Sequence, residues 1–140
     1  MAHYIPASLR QQVIERAASR CEYCLIHQTF SIYRHEIDHA IAMKHGGETH
    51  AQNLVLACLP CNRYKGSDLT SLDPLTGKIT PLFNPRLHRW SDHFQAIEGL
   101  IVGLTAIGRT TVFLLKINEP RRLQLRQAFA SQGLYPEILE

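Results

Sequence analysis

Two Cys-x-x-Cys pairs, Cys21–Cys24 and Cys58–Cys61, constrain this chain more than any other feature; they hold its only cysteines, and 33 residues lie between them. Each pair can present two thiolates from one tight turn. Two such turns brought together supply the four soft ligands of a tetrahedral structural zinc site. The segment between the pairs must then fold as an insert. Two disulfides, four ordinary buried thiols or a thioredoxin-like redox pair are the other readings of these residues. A redox Cys-x-x-Cys sits singly at a strand-to-helix turn, so its duplication here favours zinc.

Compartment and size bear on the same choice. Met1 to Pro6 shows no charged stretch leading into an apolar one, so no signal peptide is visible. No apolar run approaches the roughly 18 residues that span a bilayer. The expectation is a soluble, cytoplasmic chain with no membrane partner, where disulfides rarely persist. With 140 residues, 45% hydrophobic and 19% charged, the chain has enough apolar side chain for a core and is not wholly disordered. The net charge of +3 is spread evenly, with 7 basic and 6 acidic residues up to Asp68 and 8 and 6 beyond. Bulk charge therefore permits a nucleic-acid partner without demanding one.

Along the chain, Ser8 is expected to open a first helix, with Gln11 completing a capping-box spacing. Leu9, Val13 and Ala17 form its apolar stripe, and it should end near Arg20. Phe30 to Met43 suggests two short strands or a hairpin, Gly46-Gly47 a turn, and Asn53 to Ala57 a short apolar link. Pro60 to Lys65 suits a short helix stopped by Gly66. A loop on Asp73, Pro74 and Gly77 then precedes a strand over Lys78 to Phe83. Trp90 to Ile97 and Leu100 to Leu104 read as extended, with Trp90 and Phe94 in the core. Thr105 should cap one helix and Asn118 begin the last, which tolerates Pro120 in its first turn and ends before Gly133.

The insert carries the chemistry. Asp38-His39, Gly46-Gly47 and Asn53 lie between the pairs, and Asn62 and Lys65 follow the last cysteine. An imidazole with a pKa near ~6.5 is poised to take a proton at neutral pH. A carboxylate favours a hard divalent cation, which can stabilise charge on a phosphate under attack. Asp38 and His39 would point to opposite faces of a regular strand, so the strand should bend, bulge or end there.

The whole string, Cys21-x-x-Cys24, Glu36-Ile37-Asp38-His39, Gly46-Gly47, Asn53-Leu54, Cys58-x-x-Cys61-Asn62 and Lys65, resembles the His-Asn-His (HNH) endonucleases, the zinc-stapled branch of the ββα-metal nucleases. Leu72-Asp73-Pro74, Leu82-Phe83-Asn84-Pro85-Arg86, Trp90, His93-Phe94, Leu104-Thr105 and Gly108-Arg109 are similar to the tail of small bacterial and cyanobacterial-type members. The resemblance implies an α+β fold: a ββα-metal core stapled by a four-cysteine zinc knuckle, with an N-terminal helix and C-terminal strands and helices. It implies one domain over 1–140, with the nuclease core at 20–66 and a C-terminal extension at 69–140. His39 would be the general base, Asp38 a ligand of the catalytic divalent metal, and Asn53 the residue that holds the loop and orients His39. Asn62 stands where many members carry a last histidine as second metal ligand. An amide oxygen suits Mg2+ or Mn2+ better than softer metals.

The activity implied is metal-dependent hydrolysis of phosphodiesters in DNA, with structural Zn2+ and catalytic Mg2+, Mn2+ or another divalent ion. Lys65, Arg63 and His45 are candidate substrate contacts. Arg86, Arg89 and the Arg121, Arg122 and Arg126 cluster could widen the DNA footprint, but with Glu119 and Asp92 nearby an ordinary charged surface is the safer reading. The alternative is a non-catalytic zinc-containing module that binds nucleic acid. Oligomeric state is not legible.

Overall fold

The computed structural model describes residues 4–136. The first helix, α1 (Ala7–Arg16), begins directly after Pro6, not at Ser8, and no side chain caps it. Pro6, held at φ −55°, makes the bend that a capping serine would otherwise make. Ala18 and Ser19 then take left-handed backbone, at φ 51° and 60°, and end the helix short of Arg20. That reversal aims the chain at Cys21.

Of the stretch from Phe30 to Met43, only β1 (Glu36–His39) is a strand, and its partner is β2 (Leu54–Ala57), where a link was expected. All four residues of β2 are buried, so no apolar–polar alternation marks it as a strand. Leu54 and Leu56 pack with Val13 of α1 and Ala17 at its C-cap, while Val55 and Ala57 face the main core. Next comes α2 (Leu59–Lys65), with proline in its first turn and Gly66 past its end, as its sequence predicts. Two antiparallel strands and this helix form the ββα unit.

The second half carries two further hairpins. β3 (Thr70–Leu72) pairs with β4 (Ile79–Pro81), which is shorter than the expected strand over 78–83. Trp90–His93 is not extended but a single helical turn, α3, whose His93 Nδ1 meets Thr105 Oγ1 at 2.7 Å. β5 (Phe94–Ile97) and β6 (Leu100–Gly103) are joined by Glu98 and Gly99, both at positive φ, the conformation a tight hairpin turn needs.

Thr105 caps α4 (Ala106–Leu114) by accepting from the Gly108 amide at 3.1 Å. α5 (Pro120–Ala130) is capped by Glu119, not begun by Asn118. The Asn118 amide pairs instead with both backbone groups of Ile101, at 3.1 and 2.7 Å.

The main core places the four cysteines among Phe83, Trp90, Phe94, Ile101 and Leu115. The architecture is thus α+β, with the later hairpins and helices packed around the cysteine turns.

Candidate metal centre and catalytic loop

All four cysteines are buried free thiols, and their Sγ atoms lie within 4.8 Å of one another. Cys24 Sγ and Cys58 Sγ are 3.6 Å apart. A tetrahedral zinc with Zn–S of about 2.3 Å requires sulfur separations of about 3.8 Å. The cluster therefore fits a closed zinc site. Without metal, burial pushes the Cys21 and Cys61 thiols well up, while Cys24, accepting from Cys21, Cys58 and Cys61, is held well down. Buried thiols in that state gain strongly from a cation that takes their protons' place.

Arg122, expected on a charged surface or DNA footprint, is instead turned into the cysteine cluster by the C-terminal helix. Arg122 Nη2 donates to Cys61 Sγ at 2.8 Å, and its Nη1 donates to the Leu115 and Lys116 carbonyls at 2.6 and 3.0 Å. Burial opposes the guanidinium's charge, but Cys61, Cys24 and Cys58 outweigh it and hold Arg122 above its ordinary range.

The ββα unit sets a polar face of β1 against α2. Glu36 and Asp38, two residues apart, share one face of the strand. Asn62 and Lys65, three apart, share the facing side of the helix. Asn62 Nδ2 donates to Glu36 Oε1 at 3.1 Å, and Lys65 Nζ lies 2.9 Å from Asp38 Oδ2. The expected exposed phosphate contact by Lys65 is therefore corrected. Lys65 is 2% exposed and its ammonium is turned inward, because the buried Asp38 carboxylate needs a counter-charge.

Lys65 makes its hydrogen bonds to the His39 and Gly66 carbonyls, at 3.1 and 3.5 Å, and meets Asp38 Oδ2 as an ion pair outside hydrogen-bond alignment. Burial raises the Asp38 carboxyl, and Lys65, His39 and Tyr23 oppose that rise. Asp38 Oδ2 thus faces an ammonium, and the Glu36–Asn62 pair is a second, separate contact between β1 and α2.

β1 is regular from Glu36 to His39, and backbone pairing runs on to the Ala40 amide, which donates to the Asn53 carbonyl at 2.8 Å; the expected bend or bulge at Asp38-His39 is absent, and the strand's end at His39 does not bring the two side chains to one face. His39 projects to the opposite face from Asp38, and its Nε2 meets Thr49 Oγ1 at 2.9 Å. Asn53 closes the intervening loop. Its Oδ1 accepts from the Ile41 amide at 2.9 Å, and its Nδ2 donates to the Ile41 and Glu48 carbonyls at 3.0 and 2.9 Å. Gly47 is obligatory, since a Cβ there would stand 1.7 Å from the Ile41 carbonyl oxygen. His45 is exposed and tied by Nε2 to the Ser67 carbonyl at 3.1 Å, linking the loop to the end of α2; Arg63 is exposed on α2.

Residues 21–68 match the family model described as HNH endonuclease. Residues 21–68 form an HNH domain. No curated protein and no solved structure matches the chain. The matched segment takes in both cysteine pairs, β1, the loop closed by Asn53, β2 and α2, and it implies a nuclease or nucleic-acid-binding role. Among the described residues no helix is long and apolar enough to cross a membrane.

Glu36, part of the motif, shares the Asp38 face of β1 by its two-residue spacing and meets Asn62. Arg122 carries a sequence reading as surface or DNA footprint, which the packed C-terminal helix corrects by bringing it to Cys61. Thr49 carries no local signal, and only the closed loop brings it to His39.

Proposed function

We propose that the HNH domain is a metal-dependent endonuclease that hydrolyses phosphodiester bonds in DNA, with His39 as general base. The observation that carries this reading is His39 itself, placed at a strand end and held by Thr49 in a loop that Asn53 ties shut. A Nε2–H donated to the Thr49 hydroxyl selects the neutral tautomer in which Nδ1 holds a lone pair. Nδ1 then takes a proton from water, the hydroxide oxygen bonds to phosphorus, and the opposite P–O ester bond breaks. Asn53 acts as a positioning residue.

Asp38 and Asn62 would hold a divalent Mg2+ or Mn2+, with Glu36 beside them. Such an ion supplies charge stabilisation at the leaving oxygen. Lys65 keeps Asp38 from standing as an uncompensated buried charge. Arg63 and His45, both exposed, would contact the DNA backbone. The four cysteines hold structural Zn2+, which suits a reducing, cytoplasmic setting. We further propose that residues 1–140 work as one unit, because the C-terminal helix reaches the cysteine cluster through Arg122.

A second reading, a non-catalytic zinc module that binds nucleic acid, is favoured by one observation: the ammonium of Lys65 already stands against Asp38. Supercoiled plasmid incubated with zinc-loaded protein separates the two. Nicking or linearisation with Mg2+ or Mn2+, abolished by chelation, supports the nuclease. A gel shift without any cleavage under every divalent ion supports the binding module.

A further inference from the structure

A concave site of about 430 Å³ lies where the end of α1 meets the segment from Phe83 to Trp90. Arg16, Arg20, Arg86 and Arg89 line it against a single carboxylate, Glu22. That carboxylate is already committed: Oε2 accepts from the Leu56 amide at 2.8 Å, and Oε1 pairs with Arg86 Nη2. Arg86 Nη1 is buried and has no hydrogen-bond partner among the described residues. Burial pushes the Arg16 guanidinium down, and the neighbouring Arg86 charge adds to that effect. Arg16 and Arg20 also donate to backbone carbonyls, so the buried Arg86 Nη1, with three further guanidinium charges around it, is the donor an anion would answer.

The position of the site identifies the anion. Ile37 packs against α1 with Val13, Leu54 and Leu56, and His39 shares the Ile37 face of β1. Arg16 lines the cavity and also donates to the Ala51 and Leu54 carbonyls, at 2.8 and 2.6 Å. Leu54 is the cross-strand partner of His39. The cationic site and the candidate base thus lie on one face of the hairpin, joined by one arginine.

We propose that this site binds a backbone phosphate of the nucleic-acid strand, flanking the phosphodiester presented to His39. The proposal rests on the nuclease reading above and adds a strand-positioning site to it. Guanidinium forks match phosphate oxygens bidentately and read no sequence, so the contact would set the register of the strand.

The test uses the full zinc-loaded chain and a fluorescein-labelled DNA duplex, without added divalent ion. Binding by wild type is compared with R20Q/R89Q, which leaves the Arg86–Glu22 pair intact. The single tryptophan, Trp90, lines the site, so its emission checks folding and reports occupancy. The proposal expects the double variant to bind at least about tenfold more weakly, with the slope of log K against log salt reduced by about two. R86K, which keeps a cation beside Glu22, should weaken binding less. Inorganic phosphate should change Trp90 emission, and the duplex should displace it.

Equal affinity and equal salt slope in wild type and R20Q/R89Q would overturn the proposal. A Trp90 response to phosphate that the duplex does not compete for would also overturn it, by assigning the site to a small free anion. Failure of the nuclease reading shows separately, as absence of plasmid cleavage by a wild type that still binds DNA.

Discussion

Lys65 Nζ stands 2.9 Å from Asp38 Oδ2 with both side chains almost wholly buried, so helix α2 and strand β1 are joined through one ion pair inside the ββα unit. Removing one partner of such a pair leaves an uncompensated charge, at a cost of about 3–5 kcal/mol. Lys65→Met should therefore lower the urea midpoint sharply, and Asp38→Asn with Lys65→Met together should recover much of the loss. Equilibrium unfolding of the two single variants and the double variant measures the coupling. Additive losses would mean the pair is not a unit.

Asn53 closes the loop between β1 and β2 with three hydrogen bonds to Ile41 and Glu48. Asn53→Ala should cost about 1–3 kcal/mol, given net values near 1 kcal/mol per bond. Amide exchange resolves the local effect: Ile41 should lose protection while the β1–β2 amides keep theirs. Unchanged protection at Ile41 would remove the positioning role.

Arg122 supplies the cysteine cluster with its guanidinium, at 2.8 Å from Cys61 Sγ. Partners of metal ligands typically set affinity by about 10–100-fold. Arg122→Gln should weaken zinc binding by that factor in a chelator competition, with one zinc per chain retained at saturation. Arg122→Lys should fall between the two, since an ammonium keeps the charge but not the fork that also holds the Leu115 and Lys116 carbonyls.

His35 gives a stability change with a defined sign. It is buried, its ring Nε2 meets the Ile26 carbonyl at 3.0 Å, and its Nδ1 has no partner among the described residues. Burial lowers its pKa, with the Ile26 carbonyl opposing. A group lowered on folding contributes fully above its unfolded pKa of about 6.5, and the contribution is lost as pH falls through the folded value. With zinc in excess, the urea midpoint should drop between pH 7.5 and 5.5, and His35→Gln should shrink that drop. Identical pH dependence in both proteins would contradict the assignment.

What the sequence made legible was mostly local chemistry. Pro60 and Gly66 bracket α2, Thr105 caps α4, and the four cysteines meet in one cluster. Strand β2 was hidden because burial on both faces erases alternation. Lys65 looked like a surface cation because nothing in a short helix announces a buried acid 27 residues earlier in the chain. Arg122 reaches Cys61 across 61 residues of sequence, a contact set by tertiary packing alone.

His39 is proposed to take the proton from water. Plasmid cleavage by His39→Ala, compared with wild type at equal zinc content and equal DNA binding, is the decisive measurement. The cleavage rate should fall about 100-fold or more with binding unchanged, as expected for removal of a general base. Cleavage by the variant at the wild-type rate, with the same metal dependence, would contradict it.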